Sequence, residues 1–401
     1  MSPQKFPIPE AYQDQIVYDE AQDKRNNEEI LRELSIFRAV TSEKNIWAFW
    51  HSGIHSMPAW CQRNVCAWVR MHSNEGWTVR VLDSIKNSEN YSLRYVPDAI
   101  LPDSFVHGTM DGPYVGPHSA DMLRGACLYA HGGVFLDVGI PLIRSIDRIC
   151  WMKLEDPSTP YEVAAPWVYG THIGNHFVSA RKASHFIGRW HELFCHLWKN
   201  RTNFLGLMKS PLMKIVAEQP LDLERASRFQ WGISKDAAHV DEYVTQVMCW
   251  NRLCLLEDTG DGFSGVDYWA NKVLLWDGLE ETWGAETTLG FKGCGRRMYD
   301  IFSLPVDSDC NAERYRDAER LVWRLLSRSS MQKVFRGKGL THDQELGELW
   351  DEDQEGHDCR SGTFAELFRY GCENFKQTRE DITYVKAPRP GKTYRKDLLE
   401  A

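Results

Sequence analysis

The chain has 401 residues, 43% of them hydrophobic and 26% charged, with a formal net charge of −9 at pH 7. That length can bury one large α/β domain with additions or two modest domains, and the acidic balance argues against a general nucleic-acid binder. Polar residues interrupt every apolar run well short of the ~18 residues that a transmembrane helix needs. Met1 to Glu20, broken by Pro3, Pro7 and Pro9, has neither the basic start nor the apolar stretch of a secretory signal. The expectation is a cytoplasmic protein with no integral membrane segment. Eleven scattered cysteines point to reduced thiols, not a disulfide framework. The spacings of Cys61 to Cys66 and Cys249 to Cys254 suit neither a zinc knuckle nor one face of a helix.

In chain order, residues 1–43 predict an irregular arm and then a helix from Asn27 to Ala39 with leucines and isoleucines at helical spacing. Ile46 to Trp50 predicts a buried strand, Ala59 to Met71 a helix after Pro58, and Trp77 to Leu82 a second strand. Strand, helix, strand implies a parallel right-handed unit. His118 to Ala130 predicts a helix with Met122, Leu123, Ala126, Cys127 and Ala130 on one face and Asp121 and Arg124 close together beside it. Gly132-Gly133 stops it, since glycine accepts the left-handed conformation at a helix end. Val134 to Leu136 is then a short strand with Asp137 at its carboxyl end, where open α/β sheets bind ligands.

Tyr161 to Pro166 and Phe177 to Ala180 predict further strands, and His185 to Lys199 and Asp241 to Leu253 further helices. The first domain runs over 44–300, and 301–380 is a helical extension. Its stripes are Leu321, Val322, Leu325 and Leu326, then Phe364, Leu367, Phe368, Gly371, Cys372 and Phe375, the second entered through a capping-box pattern, Thr363-x-x-Glu366. The acidic run Asp343 to Asp358 reads as solvated surface, and 381–401, with Lys386, Arg389, Lys392, Arg395 and Lys396, as a flexible basic tail.

A carboxylate at a strand end can hold a divalent cation, and a nearby arginine can meet phosphate or orient a carboxylate through its planar fork. Ser119, Asp121 and Arg124 on a helix, then Leu128-Tyr129, Gly132-Gly133 and a hydrophobic strand ending in Asp137, form an ordered set. This set, with the upstream strands ending in Trp50 and Asp83, resembles the capsular polysaccharide synthesis proteins and the related sugar transferases that share a D-x-D region. The resemblance covers roughly residues 44–290. It implies a GT-A-like, Rossmann-type fold with a mixed, mainly parallel sheet flanked by helices, and a nucleoside diphosphate sugar as donor. It further implies transfer with retention to a hydroxyl acceptor, a soluble one given the lack of an anchor.

Carried over by position, Asp121 and Arg124 contact the donor's sugar or ribose, and Asp137 is the first acidic residue of the metal-binding motif. With Gly139 where a second carboxylate belongs, the implied Mn²⁺ or Mg²⁺ would be held weakly and only with the donor. The alternative is a GT-A-like fold with a degenerate motif, repurposed for another reaction or for binding only.

Other candidates have two readings each. Trp47 and Trp50 form a wall for a nucleobase, or core. His172, Asn175 and His176, in a glycine-rich stretch with Tyr169, face the transferred sugar or acceptor, or serve as hydrogen-bonding loop residues. His118, Ser119 and Gly133 border the donor; capping or core packing is the other reading of His118, and stopping the helix that of Gly133. Asp241 and Glu242, beginning a helix that holds Gln246, face the anomeric carbon or favour the helix dipole. Trp269, Trp276 and Trp283, seven apart, stack on a sugar or acceptor, or fill core.

Overall fold

The computed structural model describes residues 4–217, 232–335, 337, 339–352 and 356–401. Its centre is a mixed sheet built from short, almost wholly buried runs. Numbered along the chain, its strands are β2 (Asn45–Phe49), β3 (Thr78–Leu82), β4 (Gly133–Leu136), β5 (Val163–Val168), β6 (His172–Ile173), β7 (Phe177–Ala180), β9 (Val273–Asp277) and β11 (Tyr384–Val385), while β1 (Ile16–Tyr18), β8 (Leu256–Asp258) and β10 (Phe375–Gln377) lie outside it. Their order is β11-β9-β5-β7-β4-β2-β3, with β6 paired to β5. The β2–β3, β2–β4 and β5–β9 ladders are parallel, and β7 runs antiparallel to both β4 and β5.

Strand alternation divides the core in two. Ile46, Ala48, Val134 and Leu136 face a core completed by α2 (Ala59–Met71) and the C-terminal helices. Trp47, Phe49, Phe135 and Val178 face a second core with α3 (Val115–His131) and α4 (His185–Leu197). The α3 and α4 backbones approach so closely that a Cβ on Gly125 would lie 2.6 Å from His191 Nδ1. Helix α3 stops at Gly132, at φ 73°, whose amide still bonds to the Leu128 carbonyl. Residue 133 also has to be glycine, because a Cβ there would run into the Asn45 carbonyl oxygen.

After β2 and β3 have been laid down in one direction, α3 carries the chain back so that β4 adds on the other side of β2. The strand order therefore reverses between β2 and β4, the kind of switch point beyond which α/β sheets open a crevice. Asp137 is the first residue past β4 on that edge.

Several expectations need correction. The Asp241–Leu253 helix is two helices, α5 (Ala237–Tyr243) and α6 (Thr245–Cys254), broken at Val244. Thr363 does not cap α10 (Phe364–Asn374): its hydroxyl donates to the Arg360 carbonyl at 2.7 Å, while Glu366 takes Lys5. A true capping box closes α1 (Asn27–Leu34) through Asn26 and Glu29.

The basic tail is tied down. β11 pairs antiparallel with β9, Trp269 donates its indole N–H to the Pro388 carbonyl, and Arg252 binds the Leu398 and Glu400 carbonyls. The acidic run is not all solvated either, for Asp358 is buried between Arg63 and Arg369 and Trp350 is buried in the first core. Residues 353–355 of that run lie outside the described residues. Trp269, Trp276 and Trp283 sit on a helix, a strand and the junction between two short helices and are all buried, so none offers a stacking face. Among the described residues, no helix is long and apolar enough to cross a membrane.

Candidate active site

Arg124, at the middle of α3, is the hub of a buried polar cluster. Its Nη1 donates to Asp121 Oδ1 and, at 2.8 Å, to Gln246 Oε1, and its Nη2 donates to Asp137 Oδ1 at 2.9 Å. Asn175 Nδ2 donates to Asp121 Oδ1 and Gln246 Oε1, each at 3.0 Å. Gln246 returns its own amide N–H to the Asp121 carbonyl. Spacing of three along α3 puts Asp121 and Arg124 on one side of the helix, and Gln246 enters from the first turn of α6. The guanidinium lies 4.9 Å over the Phe135 ring, which fixes its plane.

Exposure assigns different roles to these groups. The Arg124 side chain is 2% exposed and Asp121 11%, against 31% for Asp137. Arg124 is thus an internal brace that orients two carboxylates, and Asp137 is the face the cluster presents. Its backbone is fixed as well, since the Asp137 amide donates to the His176 carbonyl at 3.0 Å.

A second cation meets Asp137 from far along the chain: Lys333 Nζ lies 3.0 Å from Asp137 Oδ2. Both carboxylate oxygens therefore already face positive charge, Oδ1 from Arg124 and Oδ2 from Lys333. The atoms nearest a Cβ on Gly139 would be Phe335 Cβ and the Trp60 ring, both at 3.5 Å. Among the described residues, no group of three or more His, Cys, Asp or Glu side chains is arranged to hold a metal ion. Unit charges ~4 Å apart interact by about 4 kcal/mol at an effective dielectric near 20. A divalent cation beside Asp137 would face about twice that repulsion from the Lys333 ammonium, enough to offset a comparable attraction to the single Asp137 carboxylate, and would have to displace Arg124 or Lys333 from the oxygen it took. The residues present do not fit the Mn²⁺ or Mg²⁺ expected at Asp137.

The remaining candidates separate. Trp47 is fully buried, its indole N–H donated to the Gly132 carbonyl at 2.9 Å and its ring stacked on His131. It is core, not a wall for a base. Trp50 is half-buried at the end of β2, its amide bonded to the Leu82 carbonyl. His118 sits among Trp198, Phe204 and Tyr243, with Nδ1 3.5 Å from Asp121 Oδ2. Ser119 turns its hydroxyl to Met110 Sδ, and Gly133 serves backbone packing.

His176 contributes its carbonyl, while its ring packs edge-on to Trp283 at 5.0 Å. Burial lowers the His172 pKa to about 4, so this ring, bonded to Thr171 Oγ1 in the β5–β6 hairpin, is neutral at pH 7 and a weak base. Glu242 accepts from the Met208 amide at 3.0 Å, and burial, then Glu242, raises the Asp241 carboxyl pKa. Neither residue is in the polar cluster.

Sequence reasoning missed Lys333 and Tyr243. Burial, then the Asp121 and Asp137 carboxylates, pushes the Tyr243 phenol well up, so it stays protonated beside the cluster. No motif surrounds Lys333, whose only signal is its place in the fold.

Comparison with known proteins gives the class of the chain. A probable glycosyltransferase, FCK3, of Fusarium pseudograminearum is 49% identical over 98% of this chain and 99% of its own length. The glycosyltransferase afumC of Aspergillus fumigatus is 39% identical over 88% of this chain and 90% of its own length, and the O-glycosyltransferase braB of Annulohypoxylon truncatum 36% over 90% and 86%. The chain is an enzyme of the glycosyltransferase class. It belongs to the capsular polysaccharide synthesis protein family, whose model matches residues 8–216. That match takes in Asp121, Arg124, Asp137 and Asn175 and ends before Gln246 and Lys333.

Proposed function

We propose that the enzyme takes a sugar from a nucleoside diphosphate sugar and transfers it, with retention of anomeric configuration, to a hydroxyl of a soluble acceptor. The observation that carries this reading is the Arg124 brace. It holds one carboxylate inside the sheet edge and presents another, Asp137, at the switch point between β2 and β4. The bond from the anomeric carbon to the diphosphate oxygen breaks with its electron pair going to that oxygen. The acceptor oxygen bonds to the same carbon and loses its proton to the departing diphosphate.

In this reading Asp137 and Asp121 orient the donor's hydroxyls, and Asn175 and Gln246 keep Asp121 in place. Retention is supported by the resemblance of the helix, turn and strand signature, and a hydroxyl acceptor by the relatives described as O-glycosyltransferases. A donor binding only the folded state raises the unfolding temperature by mass action. Thermal unfolding with UDP- and GDP-sugars, followed by donor hydrolysis and proton NMR of the product anomer, tests the reading. No shift with any donor, together with wild-type rates for Arg124→Ala, overturns it.

A further inference from the structure

We propose that Lys333 takes the place of the divalent cation in this enzyme, so that an ammonium meets the negative charge of the donor's diphosphate without a metal. The inference rests on the nucleoside diphosphate sugar reading above and adds to it the group that neutralises the leaving group.

Three observations support it. First, the ammonium stands 3.0 Å from Asp137 Oδ2, beside the carboxylate to which the family resemblance assigns the metal, and its side chain is 14% exposed. An ammonium carries three donors and one carboxylate oxygen uses one, which leaves directions for phosphate oxygens. Second, position 139 supplies no carboxylate, and Arg124 already holds the other oxygen of Asp137.

Third, the chain around Lys333 is built to deliver it. The Gln332 amide donates to the Pro141 carbonyl at 3.0 Å, the Lys333 amide to Thr282 at 2.9 Å, and the Val334 amide to Gly139 at 3.4 Å. The Gln332 side chain is buried between the Glu286 carboxylate and the Ala285 amide. A segment bonded on both sides of the lysine, and laid directly along residues 139–141, fixes where its ammonium stands. A lysine pinned in this way keeps its position as the diphosphate charge grows, which makes it a preorganised partner for that charge.

The experiment is calorimetric titration of the full chain with UDP and with GDP, in EDTA and again with Mn²⁺ or Mg²⁺. Alongside the wild type, Lys333→Met, Lys333→Arg and the double variant Lys333→Met/Asp137→Asn are titrated. The double variant removes the carboxylate that the single one leaves half-paired, and thermal unfolding of each variant confirms the fold.

We expect one of the two diphosphates to bind in EDTA, with affinity little changed by metal. Lys333→Met and the double variant should weaken it on the order of 10- to 100-fold, and Lys333→Arg should restore part. Binding that appears only with Mn²⁺ or Mg²⁺, or wild-type affinity in folded Lys333→Met, overturns the inference and leaves the donor reading standing. Absence of binding by either diphosphate under any condition overturns both.

Discussion

Two buried ion clusters lie at the ends of one short segment, and they are built differently. Glu281, with a side chain 0% exposed, receives Arg379 on both oxygens at 2.8 and 2.7 Å, Ser330 Oγ at 2.7 Å and the Thr383 amide at 2.8 Å. Three residues after Ser330 the same segment places Lys333 on Asp137, whose side chain is 31% exposed. The first carboxylate is closed on every side by the protein and clamps the C-terminal chain to the sheet. The second is braced from below by Arg124 and open above. A cluster with all its directions used can only hold structure, whereas one with directions left over can take a ligand.

Breaking each cluster should therefore give opposite signatures. The largest effect is expected for Arg379→Ala, which leaves the Glu281 charge buried and unpaired and should cost about 3–5 kcal/mol in urea unfolding. Transfer rate per folded molecule should change little. Asp137→Asn should do the reverse, lowering the transfer rate on the order of 10²- to 10³-fold, as loss of a preorganised electrostatic group does, with little change in unfolding midpoint. If Asp137→Asn unfolds the protein and Arg379→Ala abolishes turnover in folded material, the contrast fails.

Acid should dissolve the closed cluster in a predictable window. Burial raises the Glu281 pKa, but the hydrogen bond and charge of Arg379 and the Thr383 amide outweigh it, so the folded pKa lies below the ordinary 4.5. A carboxyl depressed on folding contributes stability that is present above its unfolded pKa and lost as pH falls through the folded one. Stability measured by urea unfolding should thus hold at neutral pH and decline below pH ~4.5, and Glu281→Gln should flatten that decline. An unchanged slope in Glu281→Gln would assign the acid loss to other groups. The smallest effect is expected at Trp47: Trp47→Phe loses the bond to Gly132 and some volume, about 1–2 kcal/mol. Donor affinity should stay within twofold or so of wild type. A large loss of affinity in folded protein would restore Trp47 to the donor site.

Much of the fold and part of the site were legible in the residues, because they depend on local pattern. Short continuous apolar runs such as Ile46 to Phe49 and Val134 to Leu136 read as strands with two buried faces, and Gly132-Gly133 specifies the turn between helix and strand. Asp121 and Arg124 at a spacing of three must lie on one side of a helix, and Asp137 must follow the strand. Those statements need only the backbone's own geometry.

Which aromatic faces a ligand and which fills core does not follow from local pattern. Trp47 faces the second core beneath α3, whereas Trp50, just past the end of β2 and on the opposite face, is half-buried against the first. Charge runs misled for the same reason: Asp358 looks solvated beside its acidic neighbours until folding brings Arg63, nearly three hundred residues away, against it. Lys333 is the extreme case, because an isolated lysine carries no periodicity and no spacing to Asp137. Only the crossing of the segment after α9 (Glu313–Arg328) under the residues that follow β4 brings the two together. The sequence by itself put Asp121 and Arg124 on one side of a helix and Asp137 at the end of a strand, since both placements are consequences of helical and strand repeat. The tertiary structure decided which cation stands opposite that carboxylate, since a contact across nearly two hundred residues is set by packing and not by spacing.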